Sequence, residues 1–101
     1  MSQSRDEIVA HLNAETGRIE WKALLPHFAR GQVVRVSRDL DLLEAAAVLA
    51  RDEREQVRQW MEEGVLGAVD DDTAGRWQHE ERHVWAVVVA PWVLVQEAGD
   101  P

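Results

Sequence analysis

The chain has no cysteine and no tyrosine, one phenylalanine and three prolines in 101 residues. Without cysteine there are no disulfides, no thiolate metal sites and no cysteine nucleophile. Glycine-rich phosphate loops are missing. No apolar run reaches the roughly 20 residues that a membrane-spanning helix needs; the longest, His83 to Glu97, is interrupted by Pro91. The first residues, Met-Ser-Gln-Ser-Arg-Asp-Glu, have neither the apolar stretch of a secretory signal nor the basic, acid-poor character of a transit peptide. The expected location is therefore the cytoplasm. Positive charge is scarce as well: eleven Lys and Arg stand against nineteen Asp and Glu, a net charge of −8. Nucleic-acid binding rests largely on cationic neutralisation of phosphates, so nucleic acid is disfavoured as a partner, and an anionic membrane surface for the same reason.

The length suits one small domain spanning residues 1–101, with residues 1–3 and the tail from Glu97 expected to fray. Its most informative stretch is His83 to Glu97, which is β-branched, aromatic and nearly free of charge. That composition predicts a buried strand, apolar on both faces, with something covering each side. Pro91 lacks the N–H that a ladder requires and marks an edge or a bulge. A two-residue hairpin at Ala90-Pro91 is disfavoured because such turns want positive φ, so one bent strand is expected. Whether it pairs within the chain or across a dimer stays open.

Before it, Ser4-Arg5-Asp6-Glu7 is a capping box that opens a helix to about Thr16, with Gly17 as the stop. Trp21 to Ala29 is a second helical piece, kinked or started late by Pro26 and ended by Gly31. Gln32 to Val36 is a short strand. Asp39 or Asp41 caps a third helix to about Ala50, apolar nearly all round and hence central. Asp52 and Glu55 make a box-like start for a fourth, with Val57, Trp60 and Met61 as a narrow apolar stripe and Gly64 as its stop. Val65 to Val69 is a strand, and Asp70 caps a short helix that contains Trp77.

These elements define an α+β single domain with a small antiparallel sheet. Strand, helix, turn, helix, strand, connection, strand is the order of a winged helix-turn-helix, with Asp52–Glu63 in the place of the recognition helix. That order is a likeness of fold and carries no function by itself. Arg51, Arg54 and Arg58 are spaced three and four apart and share a side. Arg51 has Glu55 four residues on, and Arg58 has Glu62. From Asp52 to Glu63 five acids face two bases, which leaves −3 where a DNA reader needs positive charge. The spacing reads as a solvated face laced with ion pairs, with a protein-binding face next.

Three stretches share an order and spacing with a known family. They are Leu12-Asn13-Ala14-Glu15-Thr16 followed by Ile19 and Trp21; Leu40-Asp41-Leu42-Leu43-Glu44 leading to Trp60; and Trp85 to Glu97. Together they resemble a bacterial family of small uncharacterised proteins known as domain of unknown function 2288, over almost the whole chain. The resemblance implies a small single-domain bacterial protein and no particular activity, substrate or catalytic residue.

One motif demands a chemical reading. His79-Glu80-Glu81-Arg82-His83 matches H-E-x-x-H, in which two histidines on one helical face hold zinc and the glutamate activates a bound water. Here it falls at the end of a short helix where Val84 and Trp85 already read as strand, and no downstream histidine supplies a third ligand. A polar turn is the plainer reading, and no metal or other cofactor is expected. His11 and His27 are isolated from any triad arrangement. Asp70-Asp71-Asp72 lacks the alternating spacing of a calcium loop and suits a helix N-terminus. The five tryptophans lie in apolar patterns and read as core, with Trp92, just past Pro91, the best candidate for exposure at an interface.

The sequence thus predicts a non-enzymatic module that acts through protein contact, with Arg51, Arg54, Arg58 and Trp92 as the partner-binding residues and a homodimer as one form of that contact. A DNA-binding regulator using the same arginines is the runner-up. A zinc hydrolase on His79, Glu80 and His83 is the remote third.

Overall fold

The structure is a computed structural model and describes residues 17–98. The helix expected from Ser4 to Thr16, with His11, lies outside the described residues. The strands are β1 (Gly17–Glu20), β2 (Val33–Val36), β3 (Leu66–Ala68), β4 (His83–Val89) and β5 (Trp92–Glu97). The helices are a 3-10 turn (Trp21–Leu24) running into α1 (Leu25–Ala29), then α2 (Leu42–Ala50), α3 (Arg54–Glu63) and α4 (Asp71–His79). Together they form a small single-domain α+β fold.

All five strands join one mixed sheet in the order β1-β4-β5-β2-β3. The β2–β5 pair is parallel and the others antiparallel, so the sheet is larger than the small antiparallel one the sequence suggested. The parallel pair arises because the chain leaves β2 on a long excursion through three helices and comes back through β4 to lay β5 beside β2.

Residues 83–97 form two strands and not one bent strand. β4 and β5 are a hairpin in which Val89 pairs with Trp92, and the intervening Ala90-Pro91 peptide is cis. A cis proline at the third position of a turn reverses the chain with no residue at positive φ, which is the route that the φ argument left out. The run therefore pairs within the chain: β4 with β5, and β5 with β2.

Both faces of the sheet are covered. On one, Val36, Leu66, Val87 and Leu94 pack on Leu42, Ala45, Ala46 and Ala47 of α2. On the other, Val33, Val84, Val93 and Val95 meet Trp21, Leu24, Ala74 and Trp77. Neighbours in β5 point to opposite faces, yet Val93, Leu94 and Val95 are all at most 3% exposed. The second apolar face is thus closed by the chain's own helices and needs no second copy to cover it.

Local signals set most helix ends. Asp41, rather than Asp39, caps α2, its Oδ1 accepting from the Glu44 N–H at 3.0 Å. Asp70 caps α4 in the same way, and Gly64 closes α3 in the left-handed region that glycine allows. Pro26 sits in the first turn of α1, where its missing N–H costs nothing. Gly17, expected as a helix stop, is the first residue of β1 and pairs with Ala86; the helix it was expected to end lies outside the described residues. One reading fails. The box-like start at Asp52 and Glu55 is not built: Glu53 precedes α3 without a side-chain cap, and Asp52 sits at φ +56.

Candidate functional site

Among the described helices, α1 and α3 have no fully buried residue, and on the longer α3 the apolar stripe is only half used. Val57 and Trp60 pack against the α2 side of the core, whereas Met61, one turn beyond Val57, is 56% exposed. Between this stripe and the sheet lies a groove of about 430 Å³. Its sheet wall is Val34 of β2, Leu66 and Ala68 of β3, and Trp92 of β5, and Leu49 closes the α2 end. The wall follows from register. Val34 pairs with Ala68 and Val36 with Leu66, so β2 and β3 present apolar side chains to the same face. Trp92 precedes buried Leu94 by two residues and shares its face, at the strand end where helix cover has run out.

Arg54 and Arg58 line the mouth of this groove from α3, with Asp52 beside them. The groove therefore brings together three of the four residues singled out in the sequence: Arg54, Arg58 and Trp92. Arg51 is not among its lining residues. It caps the end of α2 and is separated from α3 by the left-handed Asp52, so the three arginines do not continue on one helix. Their ion pairs also differ from the expected ones. Arg51 pairs with Glu53 at 3.8 Å and Arg58 with Glu55 at 3.3 Å, while Arg54 pairs with Asp52 at 3.3 Å. The Arg54 and Arg58 side chains are 85% and 71% exposed. Exposed pairs of this kind contribute about 0–1 kcal/mol, so either guanidinium exchanges its partner at little cost.

The five tryptophans differ in burial. Trp21 and Trp77 are fully buried and Trp60 is half-buried, whereas Trp85 and Trp92 are each 41% exposed, so the apolar pattern around a tryptophan does not by itself place it in the core. Met61, Val34 and Leu66 are groove residues that sequence reasoning did not select. Met61 carried a signal, since it is apolar on a helix whose other surface is charged.

The H-E-x-x-H residues are dispersed. His79 is the last residue of α4, Glu80 and Glu81 form a turn with Glu81 at φ +53, and His83 opens β4. The two histidines share no helical face. His83 lies opposite Glu20 of β1, its Nε2 3.9 Å from Oε1, and Glu80 accepts from Arg82. Among the described residues, no group of three or more His, Asp or Glu is placed to hold a metal. His27, on α1, is half-buried.

Asp70 caps α4 through its Oδ1, which accepts from the Thr73 N–H at 2.7 Å. That bond, then the Thr73 hydroxyl, and then the charges of Arg35 and Arg76, hold its carboxyl below the ordinary 3.8. The acid run thus acts as a helix cap.

Glu97, expected in a frayed tail, belongs to β5 and is held firmly. Its side chain is 17% exposed and lies 3.3 Å from Arg35, 3.8 Å from Arg76 and 3.8 Å from Arg82. Next to it, Gln96 donates to the carbonyls of Ser37 at 2.8 Å and Leu40 at 2.6 Å, fastening the loop before α2.

These features define a two-faced α+β domain with an apolar groove at one end of its sheet. The chain belongs to the family described as "Protein of unknown function (DUF2288)", whose model matches residues 7–97. This is the family that the three sequence stretches indicated. Among solved structures, the chain is similar to PA1075 from Pseudomonas aeruginosa, determined by NMR in solution. The two are 42% identical with a TM-score of 0.81, over 99% of this chain and 93% of that one. No curated protein matches. Among the described residues, no helix is long and apolar enough to cross a membrane.

Proposed function

We propose that this chain is a non-enzymatic protein-binding module of the bacterial cytoplasm. In this reading, the groove between α3 and the sheet takes an apolar side chain of a protein partner, and Arg54 and Arg58 take a carboxylate beside it. The observation that carries it is the joining of Trp92, Met61, Arg54 and Arg58 around one apolar cleft. Aromatic residues, Met and Arg are the types enriched in protein interfaces, and buried anchors ringed by polar groups provide most binding energy. The anionic element of the partner follows from the two highly exposed guanidiniums at the mouth. A bacterial setting is supported by the Pseudomonas relative.

Only the element order β2-α2-α3-β3 is that of a winged helix: β3 pairs with β2 and not with β4 or β5, so the strands after α3 build no wing. Nothing favours its DNA-binding consequence, since α3 with Asp52 and Glu53 before it carries −3.

The test is affinity capture from bacterial lysate with the wild-type chain, Met61→Asp and Arg54→Glu/Arg58→Glu, identifying the proteins retained. The proposal expects a stoichiometric partner that Met61→Asp loses and the double charge reversal weakens. A peptide from that partner, with an apolar residue next to Asp or Glu, should compete for it. Equal capture by all three chains, or capture of DNA that salt removes, would overturn the proposal. A second copy of this chain as the only protein retained would replace the foreign partner by a homodimer and overturn it too.

A further inference from the structure

On the opposite side of β3 from the apolar groove lies a second one, of about 410 Å³, with Arg35 and Arg38 among its lining and Glu97 between the sheet and solvent. Three guanidiniums converge on the single Glu97 carboxylate, but only Arg35 makes a hydrogen bond to it, Nη2 to Oε1 at 3.3 Å. Arg76 and Arg82 stand off at 3.8 Å, and Arg82 is also engaged by Glu80 at 3.1 Å. Arg38 makes no ion pair among the described residues, and it is exposed. Within the groove's own lining, two arginines, Arg35 and Arg38, stand against the one carboxylate of Glu97, although the whole chain carries −8.

We propose that this groove binds a small multivalent oxyanion of the phosphate type, held mainly by Arg35 and Arg38. A guanidinium offers five N–H donors in a planar fork that matches two oxygens of one oxyanion. The Glu97 carboxylate has too few oxygens to occupy the forks around it, so donors are left over. Arg35 is also held in place from below, its guanidinium carbon 5.9 Å from the centre of the buried Trp77 ring. A preset arginine loses less freedom on binding, which favours a ligand that needs two oxygens fixed at once. Glu97 keeps the arginines gathered while the site is empty and competes with the ligand when it arrives. This inference uses none of the residues of the apolar groove's helix and stands or falls apart from it.

The experiment is a titration of the isotope-labelled full chain with inorganic phosphate at constant ionic strength, read by NMR at the arginine Nε–Hε groups and the Gly64 and Gly67 amides. Saturable shifts confined to these groups are expected. Loss of one charge-assisted bond corresponds to about tenfold weaker binding, which is the effect expected of Arg38→Gln. Arg38 is exposed, so that variant keeps the fold. Glu97→Gln, where folded, should bind phosphate more tightly, whereas a purely structural Glu97 would change stability alone. Shifts that grow linearly and match those from added chloride would show an adventitious ion only and overturn the proposal. An unchanged affinity in Arg38→Gln would overturn it equally.

Discussion

Trp21 and Trp77 stand edge to face beneath the sheet, their ring centroids 5.1 Å apart and their planes at 76°, and neither ring is exposed. Phe28 meets Trp21 in a second edge contact at 5.5 Å. The pair ties the 3-10 turn at the start of the described chain to α4, elements that are distant in sequence. Both indole N–H groups are buried and make no hydrogen bond among the described residues.

Trp77→Ala should therefore destabilise the fold by about 3–5 kcal/mol, the usual cost of removing a large buried aromatic. Trp77→Phe should cost clearly less, because it removes part of the ring and breaks no hydrogen bond. Denaturant midpoints of the two variants check this. Equal losses would mean that the indole N–H contributes a bond the packing does not reveal.

The exposed tryptophans make an optical prediction. Acrylamide should quench part of the emission readily, and Trp85→Phe/Trp92→Phe should remove that part and shift the remaining spectrum to shorter wavelength. The reason is that Trp21 and Trp77 are sealed and Trp60 packs half-buried on the core, while Trp85 and Trp92 are 41% exposed.

Acid should loosen α4 through Asp70. Its carboxyl is held below 3.8 in the fold, first by the Thr73 N–H. A depressed carboxylate stabilises the fold above its unfolded value, and that contribution is lost as pH falls through the lower folded value. Asp70→Asn keeps a capping oxygen but removes the titration. The gap in melting temperature between wild type and Asp70→Asn should thus be steady above about pH 5 and change below pH 4. A gap independent of pH would contradict this.

Asp41→Ala should cost about 1 kcal/mol, the typical worth of a helix cap, because its Oδ1 is the acceptor for the Glu44 N–H. Asp39→Ala should have little effect on stability, and thermal melts of the two separate them.

Features with local causes were legible in the sequence. Asp41, Asp70 and Gly64 mark helix ends because a cap depends on residues within one turn. The break at Pro26 and the central burial of α2 follow from composition in the same way. Features made by pairing were not legible. Gly17–Glu20 has one apolar residue, Ile19, and is a strand because β4 lies beside it. The Arg35–Glu97 bond joins neighbouring strands that the chain order separates by 62 positions. The turn at Pro91 escaped because the familiar hairpin rule considers trans peptides with positive φ. At the candidate site, Arg54, Arg58 and Trp92 were chosen for separate reasons, charge spacing and a proline break. Only the parallel return of β5 beside β2 sets Trp92 across from α3, and the left-handed Asp52 detaches Arg51 from the group.

The most direct test of the groove as the partner site is photo-crosslinking from within it. A photoreactive residue replaces Met61 at the lip, a second replaces Glu62 on α3, and each chain is irradiated in cell extract and its adducts sequenced. The account predicts adducts from Met61, few from Glu62, and a crosslinked segment of another protein with an apolar residue beside Asp or Glu. Equal labelling from both positions, or adducts only with further copies of this chain, would contradict it.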